Sequence, residues 1–226
     1  MKIKPDLLEV YVITDRVLAR GRSTLEVVQA ILAGEGKVIQ LREKGMTTRE
    51  LVELAERIKS LTAALGAKLI INDRVDVALA VHADGVHLGD EDMPCGIARR
   101  ILGQEVIIGK SVDTVADARK AIAEGADYLG AGAVFATATK EEAPAIGIQG
   151  LLDVCSSVNV PVVAIGGIKL ENAARAIGAG AAGVAVVSAV VGADDIEAAC
   201  RELKEQVLLG KTMRRGVSDD KNFSNR

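Results

Sequence analysis

The sequence has few aromatic residues: two Tyr, two Phe and no Trp among 226 positions. Its core must therefore come from Val, Ile, Leu and Ala, the filling of a layered parallel barrel. Cysteine is also scarce. Cys95, Cys155 and Cys200 make an odd set of three with no close pair. That pattern argues against a disulfide framework or a cysteine zinc site, and fits reduced packing thiols in a cytosolic protein. The two histidines, His82 and His87, form no zinc motif, and each is expected to be a hydrogen-bonded core residue. There is no surplus of positive charge. A net charge of −3 and a pI near 5.6 give no case for nucleic-acid binding, yet leave room for a local cation cluster. Long apolar runs are missing too. The longest, near 181–193, contains Ser188 and is too short to span a bilayer. The first residues carry Asp6 and Glu9 and lack the apolar centre of a signal peptide.

What is present is alternation. Short β-branched runs predict strands near 9–14, 37–42, 68–72, 85–88, 105–109, 127–130, 160–165 and 183–187. Amphipathic stretches predict helices near 23–33, 48–65, 74–82, 96–102, 115–124, 148–157, 170–177 and 194–207. Ser23 with Glu26, and Thr47 or Thr48 with Glu50 close behind, read as helix starts. Strict strand–helix alternation implies a parallel sheet, and eight such units point to a closed (β/α)8 TIM barrel, class α/β, as a single domain over 1–210. A doubly wound sheet is the second choice. Residues 211–226 are polar, without apolar period, and read as a disordered tail.

Chemistry in such barrels sits at the C-terminal strand ends. The most informative end is VIQLREK, 38–44. On an extended strand Val38, Gln40, Arg42 and Lys44 share one face. Two cations on a short, otherwise apolar strand need compensating anions, either acidic side chains or a ligand such as pyrophosphate. The plainer alternative places Arg42 and Lys44 beyond the strand, paired with Glu43 or Glu50. The other ends are also polar or glycine-rich. They carry Asn72-Asp73, Gly89 to Asp92, Lys110-Ser111, Thr137 to Lys140 in a long loop, Gly166-Gly167 and Val187-Ser188. Gly166-Gly167 and Val187-Ser188 fall where barrels often hold phosphate, although Gly166-Gly167 also fits a tight turn of positive φ. Asp73 and Asp92 are hard oxygen ligands of the kind Mg2+ accepts, and Asp73 also suits a helix N-cap.

The ordered set QLREK (40–44), INDR (71–74), DGVHLG then DED (90–92), Ser111, TATK (137–140), AIGGI (164–168) and VSA (187–189) resembles the thiamine-phosphate synthase family. The resemblance runs from about Tyr11 to about Val207. It implies a Mg2+-dependent transferase that joins a hydroxymethylpyrimidine pyrophosphate to a thiazole phosphate, releasing pyrophosphate. By match to the family motifs, Gln40, Leu41, Arg42, Glu43, Lys44, Asn72, Ser111 and Lys140 hold the pyrimidine pyrophosphate. Thr137, Ala138, Thr139, Gly167, Val187 and Ser188 hold the thiazole phosphate. Asp73 and Asp92 ligate Mg2+. Arg42, Lys44, Ser111 and Lys140 are the expected catalytic groups. Two departures stand out: Asp90, where the family commonly has Gln, and a loop before Thr137 that lacks the family's frequent proline. The expected partners are small molecules, with neither nucleic acid nor membrane, and the sequence leaves a homo-oligomer open. The rival readings are a thiazole tautomerase, which has no need of the pyrophosphate and Mg2+ set, and a phosphate sensor without catalysis.

Overall fold

The eight predicted strands are all present, each four to six residues long. In the computed structural model, which describes residues 3–136 and 145–223 with side chains through Arg214, they close into one ring. The strands are β1 (Val10–Ile13), β2 (Val38–Leu41), β3 (Lys68–Asn72), β4 (Gly85–Leu88), β5 (Ile107–Val112), β6 (Tyr128–Ala131), β7 (Val162–Ile165) and β8 (Gly183–Val186). All pairings are parallel, and Val10 beside Val184 closes the barrel. Between them run α1 (Thr24–Ala33), α2 (Thr48–Ala64), α3 (Val75–Ala80), α4 (Cys95–Leu102), α5 (Val115–Ala123), α6 (Gly147–Ser157), α7 (Leu170–Gly178), the short α8 (Ser188–Val191) and α9 (Ile196–Phe223).

Alternation of side chains sorts the apolar residues into two cores. Seven strands send apolar side chains into the barrel, Tyr11, Ile13, Val38, Ile70, Ile107, Tyr128, Val163 and Ala185, and β4 sends His87. The opposite face, with Val12, Ile39, Leu41, Leu69, Ile71, Val86, Leu129 and Val184, packs under the helices. Ser23 and Thr47 cap α1 and α2 in full capping boxes with Glu26 and Glu50. Each cap satisfies backbone donors that the helix leaves orphaned, worth about 1 kcal/mol.

Carboxylates pin the lower strand ends. Asp84 accepts from the Leu69 amide and pairs with Lys59 and Lys68. Asp127 accepts from the Ile108 amide and from Arg99, which also donates to the Gly103, Val106 and Gly125 carbonyls. A buried guanidinium tied to that many acceptors fixes α4 against β5 and β6.

Three expectations need correction. The fifth strand is shifted onward, so Lys110 and Ser111 lie within it rather than after it. The turn after β8 contains α8, which was not foreseen. The last helix does not stop at Val207, and residues 211–223, expected as an irregular tail, continue it. Lys211 shows why the chain stays ordered past that point. Its ammonium lies 2.7 Å from Glu9 and 3.5 Å from Asp6, tying α9 to the start of β1.

Candidate active site

Pairing of β2 with β1 and β3 sets the first part of the upper rim. Gln40 points into the barrel, is fully buried, and donates from Nε2 to Tyr11 Oη at 2.7 Å. Leu41 turns outward into the layer under the helices. Arg42 and Lys44 lie just beyond the strand, as the plainer alternative held. The partner of Arg42 is neither Glu43 nor Glu50 but Asp15 after β1, at 3.5 Å and half-buried. The Arg42 amide donates to Thr14 Oγ1, holding the start of this loop. Glu50 is spent on its capping box. Glu43 is buried and accepts from Thr24 at 2.9 Å, while its other oxygen, Oε2, is the buried side-chain atom left without a hydrogen-bond partner among the described residues.

β3 and β4 bring the proposed metal ligands together. The Asp73 amide donates to the His87 carbonyl, which pulls residue 73 into a left-handed conformation of φ 63°. Such a conformation is costly for a residue with a side chain and is kept where surrounding structure dictates it. Arg74, not Asp73, takes the N-cap position of α3, so the Asp73 carboxyl is not used as a cap. It hydrogen-bonds Asp92 instead. Burial, followed by that bond and the Asp92 charge, pushes Asp73 up to about 6, against the opposing effects of Asn72 and Lys44. Asp92 is itself held by the Gly89 amide at 2.6 Å.

Two acids brought together in a half-buried site are a poor arrangement by themselves and a good one around a divalent cation. Among the described residues no group of three or more His, Cys, Asp or Glu could hold a metal. A cation between Asp73 and Asp92 would thus draw further ligands from water and phosphate, as Mg2+ does. Asp90 stands apart from this pair. It is 73% exposed and binds Lys110 at 2.6 Å.

Adjacent registers place the remaining candidates. Ile165 pairs with Ala185, so Gly166-Gly167 and Val187-Ser188 leave the ring side by side. Gly166 and Gly167 have φ of 89° and 64°, the conformation a tight turn demands. They also admit the segment after β6, because a Cβ on Gly167 would come within 2.6 Å of the Ala136 carbonyl oxygen. Ser188 begins α8 and is exposed. Thr137, Ala138, Thr139 and Lys140 lie outside the described residues. Ser111 points inward from β5, with Oγ 3.0 Å from His87 Nε2.

His87 is a hydrogen-bonded core residue, as expected, and burial pushes it down to about 4; His82, expected to be the same, is instead exposed after α3. The sequence reading passed over Tyr11 and Tyr128, which fill the barrel beside Gln40 and His87. Their signal was rarity: they are the only two tyrosines, each inside a strand. The cysteines offer no nucleophile. Burial pushes Cys95 and Cys155 up to about 11 and Cys200 to about 12. No helix among the described residues is long and apolar enough to cross a membrane.

The family model for thiamine monophosphate synthase matches residues 10–190. The chain belongs to that family. It is 52% identical to a thiamine-phosphate synthase of Moorella thermoacetica, over 88% of this chain and 95% of the relative. A thiamine-phosphate synthase of Chloroflexus aurantiacus is 51% identical, over 87% and 91%. Among solved structures, a thiamine phosphate pyrophosphorylase from Pyrococcus furiosus superposes with a TM-score of 0.86 at 45% identity, covering 92% of this chain and 98% of its own. The family match spans β1 to α8, so it includes every strand end described above.

Proposed function

We propose that this chain is a thiamine-phosphate synthase, joining a hydroxymethylpyrimidine pyrophosphate to a thiazole phosphate in the cytosol. The carrying observation is the paired acids Asp73 and Asp92 on the same rim as Arg42 and Lys44. A tautomerase or a phosphate sensor has no use for that combination. Membership of the family supports the same reading.

In the reaction the C–O bond between the pyrimidine methylene and pyrophosphate breaks. The thiazole nitrogen forms the new C–N bond at that carbon, and the electron pair leaves with pyrophosphate. The pyrimidine's own amino group supports the positive charge on the carbon, so no protein nucleophile is needed. Arg42 and Lys44, together with Lys140, neutralise charge that grows on the leaving group. Ser111 and Asn72 add hydrogen bonds to the pyrimidine pyrophosphate, and Gln40 lies beneath it. The amides around Gly167 and Val187-Ser188, with Thr137 and Thr139, hold the thiazole phosphate beside it. Holding both reactants in one frame turns an encounter between two molecules into a local step. Asp73 and Asp92 would hold Mg2+, which when bound supplies further neutralisation of the leaving pyrophosphate.

The test is direct. Purified protein with both substrates and Mg2+ should yield thiamine phosphate and pyrophosphate in equal amounts. Failure to form thiamine phosphate under any Mg2+ concentration would overturn the proposal.

A further inference from the structure

Under the rim the barrel interior is not purely apolar. Five polar side chains from five strands form an unbroken line. Gln40 Nε2 donates to Tyr11 Oη at 2.7 Å. The Tyr11 and Tyr128 hydroxyls are 2.7 Å apart. Tyr128 Oη is 3.0 Å from His87 Nδ1, and His87 Nε2 is 3.0 Å from Ser111 Oγ. Gln40, Tyr11 and Tyr128 are 2%, 1% and 0% exposed, and His87 is 9% exposed, so bulk water is not a ready substitute partner.

The barrel makes room for this line at some cost to packing. A Cβ on Gly109 would lie 2.1 Å from Tyr128 Cζ and 2.5 Å from His87 Nδ1. One on Gly130 would lie 3.2 Å from His87 Cε1. An all-aliphatic interior would fill the same volume without buried polar atoms, and half-satisfied polar networks are destabilising. A line kept under those conditions invites a role beyond filling space.

Counting protons gives it a direction. A carboxamide NH2 can only donate, so Tyr11 Oη accepts from Gln40. Each tyrosine carries one hydroxyl proton. Tyr11 then donates to Tyr128, and Tyr128 donates to His87 Nδ1. That nitrogen must be bare, so the ring proton sits on Nε2 and is given to Ser111 Oγ. A doubly protonated ring fits poorly, because Tyr11 Oη would then accept from both Tyr128 and Gln40 and its own buried proton would be left without a place in the line. Ser111 therefore receives a hydrogen bond from below and has its own proton free for the mouth.

Resting on the functional reading above, we propose that Gln40, Tyr11, Tyr128 and His87 act as positioning residues that hold Ser111 as a hydrogen-bond donor to an oxygen of the pyrophosphate group. The reverse polarity would aim lone pairs at an anion and repel it. The line thus sets the electrostatic sign of one contact in the site, from as far away as the opposite wall of the barrel.

Two measurements test this on the full-length chain. The first is nitrogen NMR of the wild type, with 15N-labelled histidine and His82→Asn to assign the two rings. The expected result is His87 with Nε2 protonated and Nδ1 bare. Protonation at Nδ1, or a mixture of tautomers, overturns the polarity. The second is calorimetric titration of inorganic pyrophosphate with Mg2+ into wild type, Ser111→Ala, Tyr128→Phe and the double variant. Ser111→Ala should weaken binding about tenfold or more, the size of one hydrogen bond to a charged group. Tyr128→Phe should weaken it at least about threefold, and the double variant should bind no worse than Ser111→Ala. Additive losses would make Tyr128 a purely structural residue and overturn the inference. Should Tyr128→Phe fail to fold, the wild-type tautomer alone decides the polarity. A wild type that binds no pyrophosphate yet forms product would remove the ligand assigned to Ser111, whereas absence of product would overturn the functional reading itself.

Discussion

Replacing Asp92 by Asn removes one charge from the Asp73–Asp92 pair and should change how stability depends on pH. In the wild type Asp73 is raised from 3.8 to about 6. At about 1.4 kcal/mol per pKa unit, that rise is worth about 3 kcal/mol before screening. Asp73 is half-exposed, so solvent reduces this, and burial, the largest cause, remains in the variant. The part due to Asp92 is then about 1 kcal/mol. The sign follows from linkage. Below pH 4 Asp73 is protonated in folded and unfolded chains alike, and no difference arises. Between about 4 and 6 the unfolded chain has lost the proton that the folded chain still holds, so folding grows less favourable as pH rises. Above 6 the penalty is complete and constant. Asp92→Asn should therefore gain on the wild type across that window, by about 2–4 °C in Tm for a chain of this size. Thermal melts without divalent cations, in steps from pH 4 to 7.5, read the difference for the pair, because carboxylates other than Asp73 and Asp92 cancel between the two proteins. A gap that stays constant with pH would refute the effect of Asp92 on Asp73. The same variant should lose Mg2+-dependent turnover, and unchanged dependence would remove Asp92 from the metal site.

Two further outcomes are expected. Arg42→Ala should raise KM for the pyrimidine pyrophosphate about ten- to a hundredfold while leaving that for the thiazole phosphate within about twofold, since one charge-assisted contact is lost. Its effect on stability should stay below about 1 kcal/mol, because the Asp15 pair is loose and partly exposed. Equal effects on both substrates in steady-state kinetics would count against the assignment. Lys211→Ala should lower Tm by about 2–4 °C with kcat unchanged, because it cuts the tie to Asp6 and Glu9 at the end of the barrel away from the rim. A drop in kcat would show that this end communicates with the site.

The barrel was legible because alternating runs of β-branched and amphipathic residues leave few other folds. Which side chains face inward was harder to read. A four-residue strand buried on both faces, such as Tyr128–Ala131, has no polar alternation to set its parity. Gly109-Lys110-Ser111 looked like a polar exit from β5, yet the sheet continues through it because Lys110 turns outward to Asp90 and Ser111 turns in to His87. The polar stretch from 211 read as a tail because it lacks an apolar period, but α9 runs on through 211–223 and Lys211 ties it to the barrel. Asp73 looked like a cap because caps are local, whereas its actual partner, Asp92, comes from the next strand's loop. Gln40, Arg42 and Lys44 stood out because charge at the end of an apolar strand is visible in one dimension. Their neighbours Tyr11 and Asp15 come from β1 and the loop after it and are visible only in three.

The pair of tyrosines has a practical consequence. With no Trp in the chain and both Tyr rings inside the barrel, ultraviolet emission excited in the phenol band originates wholly from the interior. The molecule therefore carries its own optical reporter at its centre. Unfolding, or occupancy of the mouth just above, can be followed by that light with no dye attached.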